Sequence, residues 1–346
     1  MTIIYFILVL TVTVMVHELG HFLFAKKNGV YVYEFSIGMG PKLISKKKGE
    51  TEYSIRLFPI GGYVSMAGED MESNDSVPPD RQLCNKSIWT RFTTMIAGIT
   101  FNILLAIILL FIVALSTGVP KDDTVISRVD ENYPIYETNI KSKDKIIEID
   151  GVDVNSYEDI ALELTVKSGK NVDMTVLHKD KSVEIINVKP IYTERSGKKG
   201  YSYGFSLNIE KRSGIFSSIK YSFKQTGLLI RQMYRILYYL VSGTLSIDNL
   251  SGPIGIFTVV GEAGRAGFLN IIYLIAYLCI NVAVINLLPF PAFDGGRILF
   301  LIIEKIKGSK VDAKIENTIH AIGFMLLMLL MIFITYHDIL KLFVKN

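Results

Sequence analysis

The pentad His17-Glu18-Leu19-Gly20-His21 holds the strongest chemistry in the chain. Four residues of helix advance about 400°, so the two imidazoles project from one face about a turn apart, where both can ligate a zinc ion. Glu18 lies next to that face. A carboxylate there takes a proton from zinc-bound water, whose pKa the metal lowers, and passes it to a leaving amine. Zinc then needs a third protein ligand and an open position for water. His178 falls in a polar segment of mixed character, and His320 and His337 fall at opposite ends of an apolar run, where a surface or interface role suits them better. Asp294 is the stronger candidate, because it closes another apolar run within Asn286 to Gly296 (NLLPFPAFDGG).

The elements that must position these groups are membrane spans. Of 346 residues, 50% are hydrophobic and 20% charged, a balance that excludes disorder and an ordinary soluble enzyme. The net charge of +4, from 37 basic against 33 acidic residues, implies no nucleic-acid partner. The two cysteines, Cys84 and Cys279, supply neither a disulfide framework nor a metal site. Apolar runs at Ile3 to Phe24, Phe92 to Leu115, Phe268 to Phe293 and Ile319 to Ile334 approach the roughly 20 residues that cross a bilayer as helix. The first lacks a basic leader and a small-residue cleavage site, which reads as a retained span and not a signal peptide. Ionisable groups inside a span cost a few kcal/mol each unless partnered, so His17, Glu18 and His21 there point to function.

Lysines and arginines set the orientation. Lys26, Lys27, Arg81, Lys86 and Arg91 lie between the first two spans, and Arg297, Lys305, Lys307 and Lys310 follow the third, so both connections are expected in the cytoplasm. Both termini and the segment from about Pro120 to Arg265 then lie outside. On that topology His17 sits roughly 20 Å along the first span, near the cytoplasmic leaflet, and the third span delivers Asp294 to the same level. Pro289 and Pro291 must interrupt that helix, and Gly295 and Gly296 permit close backbone around the carboxylate.

Between the first two spans, Val30 to Ile37, Thr51 to Phe58 and Tyr63 to Met66 read as strands, with Gly38, Gly40, Pro41, Gly49, Gly61 and Gly62 as breaks. A small sheet against the spans, followed by an exposed loop at Gly68 to Arg81, is expected. Outside, strands at Val125 to Val129, Lys145 to Ile149, Val152 to Val154, Val172 to His178 and Val183 to Val188, a turn at Asp150-Gly151 and a helix over Tyr157 to Val166 make a small α+β module. Gly214 to Val241 carries Lys220, Lys224, Arg231 and Arg235 on one narrow helical face. That pattern predicts an interfacial helix with its basic stripe toward headgroups, the alternative being a helix packed on the soluble module.

HELGH in the first span, NLLPFPAFDGG ending the third, FSIGMG and GGYVSM between them, and LSGPIGI at Leu250 to Ile256 together resemble the site-2 protease family of intramembrane zinc metalloproteases, in its bacterial PDZ-containing branch. The resemblance covers nearly the whole chain. It implies that His17, His21 and Asp294 are zinc ligands and Glu18 the catalytic base. Asn281 and Asn286 match the family's asparagines before the aspartate, and the resemblance implies that Asn286, more than Asn281, holds an extended substrate. The outer module is similar to a PDZ domain, although Ile135, Thr138, Asn139 and Lys143 depart from that fold's Pro-Ala, Ala-Gly and Gly-Asp pattern.

The expected fold is an α-helical polytopic membrane protein: four transmembrane helices, a small membrane-associated cytoplasmic β-sheet and an inserted α+β PDZ-like extracytoplasmic domain. Its divisions are a first span over 1–25, the β region over 26–91, a second span over 92–118 and the PDZ-like domain over 119–213. An amphipathic interfacial region follows over 214–266, then a third span over 267–296, a cytoplasmic loop over 297–318 and a fourth span with the C-terminus over 319–346. The expected function is a multi-pass cell-membrane zinc endopeptidase, with Zn2+ as cofactor, that cuts single-span membrane proteins within or beside their transmembrane segments. Anti-sigma factors and signal-peptide remnants are the substrate types the resemblance allows. A silent membrane PDZ scaffold would not need Glu18 beside a metal. A zinc transporter would call for polar groups through the membrane depth, and Ile3 to Val16 has no acidic, basic or histidine residue.

Overall fold

The computed structural model describes residues 1–70, 76–120, 124–167, 169–195, 198–207, 211–212, 214–245 and 252–344. Its helices are α1 (Thr2–Lys27), α2 (Ile88–Thr117), α3 (Tyr157–Val166), α4 (Ile215–Val241), α5 (Pro253–Ala266), α6 (Phe268–Leu287), α7 (Asp294–Lys307) and α8 (Ala313–Val344). α1, α2, α6 and α8 are long and apolar enough to cross a membrane. The chain divides into two units, one formed by residues 1–113 and 246–346, the other by 114–245. The region expected as a single interfacial piece over 214–266 therefore splits, α4 belonging to the second unit and α5 to the first. Of the LSGPIGI motif, Leu250 and Ser251 lie outside the described residues.

In the first unit, α6 ends at Leu287 because Leu288 precedes Pro289 and takes an extended conformation, φ −61° and ψ 139°. The chain resumes helix at Asp294 as α7, which runs to Lys307 and stops at a left-handed Gly308. Residues 297–307, expected as loop, are thus helical. The reason is an amphipathic face: Ile298, Leu301 and Glu304 are buried, and Arg91 of α2 pairs with Glu304 at 2.5 Å.

The sheet between α1 and α2 is a long hairpin, β1 (Val32–Lys48) and β2 (Thr51–Met66), folded back on itself. Glu34 to Ile37 face Ser65 to Gly62 on one side and Glu52 to Ile55 on the other, while Ile44 to Lys48 pair with Ile55 to Thr51. Four strand segments result, ordered 62–66, 32–37, 51–55 and 44–48. The bend sits where Gly38 and Gly40 hold φ of +83° and +88°, values that side-chain-bearing residues rarely adopt. Sequence patterning expects β1 to stop at Ile37; instead it continues to Lys48 along an exposed edge.

The second unit holds ten short strands among its described residues. β3 (Val119–Pro120) pairs with β12 (Lys211–Arg212), and β4 (Ile126–Val129) with β11 (Phe205–Leu207). β5 (Lys145–Ile149), β6 (Val152–Asp153), β7 (Val172–Leu177) and β8 (Val183–Val188) form one antiparallel sheet ordered β6-β5-β7-β8. β9 (Ile191–Arg195) and β10 (Lys198–Ser202) make a hairpin. Ile126, Ile135, Ile146, Ile149, Val172 and Met174 are fully buried in its core. Asp150 and Gly151, both with positive φ, make the two-residue turn that pairs Ile149 with Val152. Lys143, which stands where the PDZ pattern has glycine, adopts φ +80°, and its N–H donates to the Ile126 carbonyl at 2.7 Å.

α4 turns the arginine half of its basic face onto α3. Arg231 pairs with Asp159 at 2.8 Å, Arg235 with Glu163 at 2.9 Å, and the Tyr239 hydroxyl donates to Glu163 at 2.8 Å. The two carboxylates are buried; of the four cations Lys220, Lys224 and Arg231 stay exposed and Arg235 is half-buried. Arginine can follow either environment; here two buried acids on α3 take up both arginines.

Candidate metal centre

α1 presents His17 and His21 with their Nε2 atoms 3.0 Å apart and their rings edge to face. Asp294, the first residue of α7, brings Oδ2 to 3.1 Å from His17 Nε2 and 3.3 Å from His21 Nε2. Both histidines are buried and Asp294 is half-buried. Residues 277 positions apart thus converge because α6 breaks and α7 starts beside the C-terminal half of α1.

The donor set fits zinc. His21 Nδ1 donates to the Thr94 carbonyl at 2.8 Å, which fixes the tautomer and leaves Nε2 for a metal. Asp294 Oδ2, close as it is, accepts no hydrogen bond of proper geometry. Two imidazole nitrogens and one carboxylate oxygen, all within 4.8 Å of one another, match the three protein ligands of an open zinc site.

A glycine makes room for this convergence. A Cβ on Gly98 of α2 would lie 2.5 Å from His21 Nε2 and 2.8 Å from His17 Cε1. Gly20 of α1 is equally tight, its missing Cβ 2.5 Å from the Ala97 carbonyl oxygen. α1 and α2 approach through these two small residues, as close-packed spans do.

Glu18 turns to the sheet, where its Oε2 accepts the Val64 N–H at 3.1 Å. Strand 62–66 is the sheet edge on this side. Its next outward amide, Met66 N–H, reaches Glu69 Oε2 at 3.4 Å. Burial pushes the Glu69 carboxyl up, against the pull of Arg297, whose guanidinium donates to the Glu69 carbonyl. These groups enclose a cavity of about 260 Å³ lined by His17, Glu18, His21, Val64, Glu69, Asn286 and Asp294, among others. Asn286 therefore faces the cavity from the end of α6. Asn281, half-buried five residues earlier, does not line it. His178 lies in the second unit, bonded to Asp144 and Glu184 at 2.9 and 3.3 Å. His320 touches the loop before Asp294 without joining the donor set. Thr94, Gly98 and Glu69 escape sequence reasoning; the only trace they leave is small and polar residues inside or beside apolar runs.

The family model of peptidase family M50 matches residues 5–330. The chain belongs to peptidase family M50. A Bacillus subtilis protein named regulator of sigma-W protease RasP is 31% identical over 420 aligned residues, covering 99% of each chain. The zinc metalloprotease RasP of Bacillus licheniformis is 31% identical over 419, again covering 99% of each. A chain of Clostridium perfringens named as a candidate zinc metalloprotease is 38% identical over 341 residues, 98% of this chain and 99% of its own. Among solved structures, the PDZ domain of an SdrC-like protein from Listeria monocytogenes is similar over 26% of this chain and 90% of its own, at 22% identity and a TM-score of 0.22. The chain is accordingly a zinc metalloprotease of the site-2 protease family, with Zn2+ as its cofactor.

Proposed function

We propose that this zinc metalloprotease is an intramembrane endopeptidase that hydrolyses peptide bonds within or beside the transmembrane segments of single-span membrane proteins. The observation that carries the reading is the convergence of His17, His21 and Asp294 beside Glu18 in the C-terminal half of an apolar helix long enough to cross a membrane. In this reading His17, His21 and Asp294 hold zinc. The metal, when bound, supplies polarisation of the scissile carbonyl and acidification of water. Glu18 takes the water proton and delivers it to the departing amine.

A transmembrane helix hides its amides in its own hydrogen bonds, so the substrate must unwind before attack. Strand 62–66 offers the means, since it pairs with β1 on one side only. Its outward N–H groups at Val64 and Met66 are held by Glu18 and Glu69, and an extended substrate strand would take them over. Asn286, in the same cavity, would then hold the substrate backbone, with Asn281 a remoter partner. In this reading the termini and the PDZ-like module lie outside the cell and the metal centre near the cytoplasmic leaflet, as the basic connections favour. Anti-sigma factors suit the name of the Bacillus subtilis relative, and signal-peptide remnants share the same single-span chemistry.

Membrane proteomics tests this directly. Cells carrying Glu18→Gln should accumulate single-span fragments that the wild type removes. Identical fragment sets in the two strains, with purified enzyme cutting soluble peptides freely, would sink the intramembrane reading.

A further inference from the structure

The loop that delivers Asp294 is tied to α7 through the Phe293 carbonyl, which accepts from the Gly296 N–H at 3.0 Å, and to α8 through Ala292. Ala292, two residues before the carboxylate, has φ +91°, a left-handed backbone that alanine rarely adopts. It is the third residue of a turn in which the Phe293 N–H donates to the Phe290 carbonyl at 3.2 Å, a position that glycine ordinarily takes, and a contact from outside the loop adds to that turn. The N–H of Ala292 donates to His320 Nδ1 of α8 at 3.1 Å. An imidazole whose Nδ1 accepts from an amide carries its proton on Nε2, and His320 Nε2 is buried with no partner among the described residues. The ring is not placed there to satisfy its own polar atoms. It sits against Phe300 of α7, centroids 5.6 Å apart, so it is wedged between α7 and the loop.

Gly323, three residues on and so on the same face of α8, makes the second contact. A Cβ there would fall 2.5 Å from the Pro291 carbonyl oxygen and nearly on the proline ring. Most of α8 is exposed, as a lipid-facing helix would be, yet Glu316, Gly323, Ile334 and Asp338 are buried along one stripe that includes His320. At the stripe's far end Asp338 Oδ2 accepts the Gly255 N–H at 2.9 Å, at the start of α5. The fourth span thus reaches inward at defined points, and two of them, the His320 hydrogen bond and the close approach of Gly323, meet residues 292 and 291.

We infer that His320 is a positioning residue for the metal centre: through Nδ1 it clamps the left-handed Ala292 amide, with Gly323 admitting Pro291, and so aims Asp294 at the histidines of α1. The inference rests on the reading of Asp294 as a zinc ligand. Loss of the clamp lets the loop relax toward ordinary backbone, and a carboxylate two residues away leaves the ligand position by an ångström or more. Outer partners that orient metal ligands typically contribute about 10–100-fold to metal affinity.

The test uses full-length protein in detergent, loaded with zinc and, separately, with cobalt(II). His320→Leu should weaken zinc retention against a competing chelator by about 10–100-fold and flatten the cobalt absorption of a low-coordinate site. His320→Asn, whose amide oxygen can stand near the Nδ1 position, should restore retention to within about threefold and recover the cobalt spectrum. Ile332→Ala, on the exposed side of α8, should match the wild type. A folded His320→Leu protein with wild-type retention and spectrum overturns the inference. If His320→Leu does not fold, Gly323→Ala decides, since it should displace Pro291 and lose zinc in the same way; unchanged retention in that variant overturns the clamp as well. Asp294→Ala in the same assay separates the failures. Wild-type zinc retention there would overturn the ligand assignment and the clamp together, whereas zinc loss in Asp294→Ala but not in His320→Leu or Gly323→Ala overturns the clamp alone.

Discussion

At the scale of single residues, the roles of the ligands and the base separate by measurement. Glu18→Gln is expected to keep stoichiometric zinc and lose cleavage, because the base does not ligate; His17→Ala, His21→Ala and Asp294→Ala should lose metal as well. Metal analysis of purified variants checks both halves, and normal zinc with normal cleavage in Asp294→Ala would remove it from the site. Gly98→Ala makes a sharper demand, because its methyl would press on both imidazoles. Zinc affinity should fall about tenfold or more with little change in helix content, the cost falling on ligand geometry; wild-type affinity would show that α1 and α2 can part. The pentad and Asp294 were legible in the sequence because their spacing and their place in apolar runs are themselves the signal. Gly98 and Thr94 were not, since a glycine and a backbone carbonyl acquire meaning only when α2 lies against α1. His320 reads from the sequence as a surface or interface histidine, and its contact with Ala292 depends on a loop conformation that no spacing rule foretells.

Elements were legible where local pattern and tertiary pairing agree. α1 and α2, the strands β5, β7 and β8 and the helix α3 follow their periodicity to within a residue or a few, whereas α6 stops at Leu287 short of Phe293 and α8 extends beyond Ile319 to Ile334 at both ends, to Ala313 and Val344. The outer half of β1 did not, because Gly38, Gly40, Pro41 and a lysine run argue against a strand. Pairing with β2 overrides that preference at an edge, where lysines point to solvent and discourage further pairing. At the fold of this sheet, Glu34 is buried and accepts from Ser54 at 2.5 Å, Tyr63 at 2.8 Å and Arg56 at 2.9 Å. Burial alone would raise its carboxyl, but the hydrogen bonds from Ser54, Tyr63 and Arg56 outweigh it and hold the pKa at about 2 against an ordinary 4.5. A folded-state pKa depressed in this way contributes stability that is fully present above the unfolded value and is lost as pH falls through the folded one. The thermal-stability margin of wild type over Glu34→Gln should therefore be constant near neutrality and shrink between about pH 4.5 and 2. A margin that does not change down to the acid limit of the measurement would mean that Glu34 is not ionised in the fold.

For the whole molecule, the decisive element is α4, long enough to be mistaken for another span. Were it one, the orientation of everything after it would reverse. Its composition already argues against burial in lipid, since four cations in a span would each cost roughly 2.5–3.5 kcal/mol on insertion scales. The sequence left open whether that basic face meets headgroups or protein, because both environments accept an amphipathic helix. The ion pairs of Arg231 and Arg235 with buried Asp159 and Glu163 turn half of the face onto α3. This rotates the helix's free surface: Phe216, Phe223, Tyr234 and Tyr238 are left exposed, with Lys220 and Lys224 beside them. Aromatic rings flanked by lysines suit the boundary between headgroups and acyl chains, and the acids of α3 keep the arginines away from it. The expected outcome is that α4 lies on the membrane by its aromatic face while held to the α+β module by its arginines. Trp89 is the only tryptophan, so Phe223→Trp in a Trp89→Phe background reports that face alone. In reconstituted vesicles its fluorescence should be quenched by lipids brominated near the headgroup, whereas Arg231→Trp in the same background should not be. Equal quenching at both positions would put α4 inside the bilayer and reverse the topology of α5 to α8. Quenching at neither would leave α4 a helix of the soluble module, with the exposed rings awaiting a protein partner.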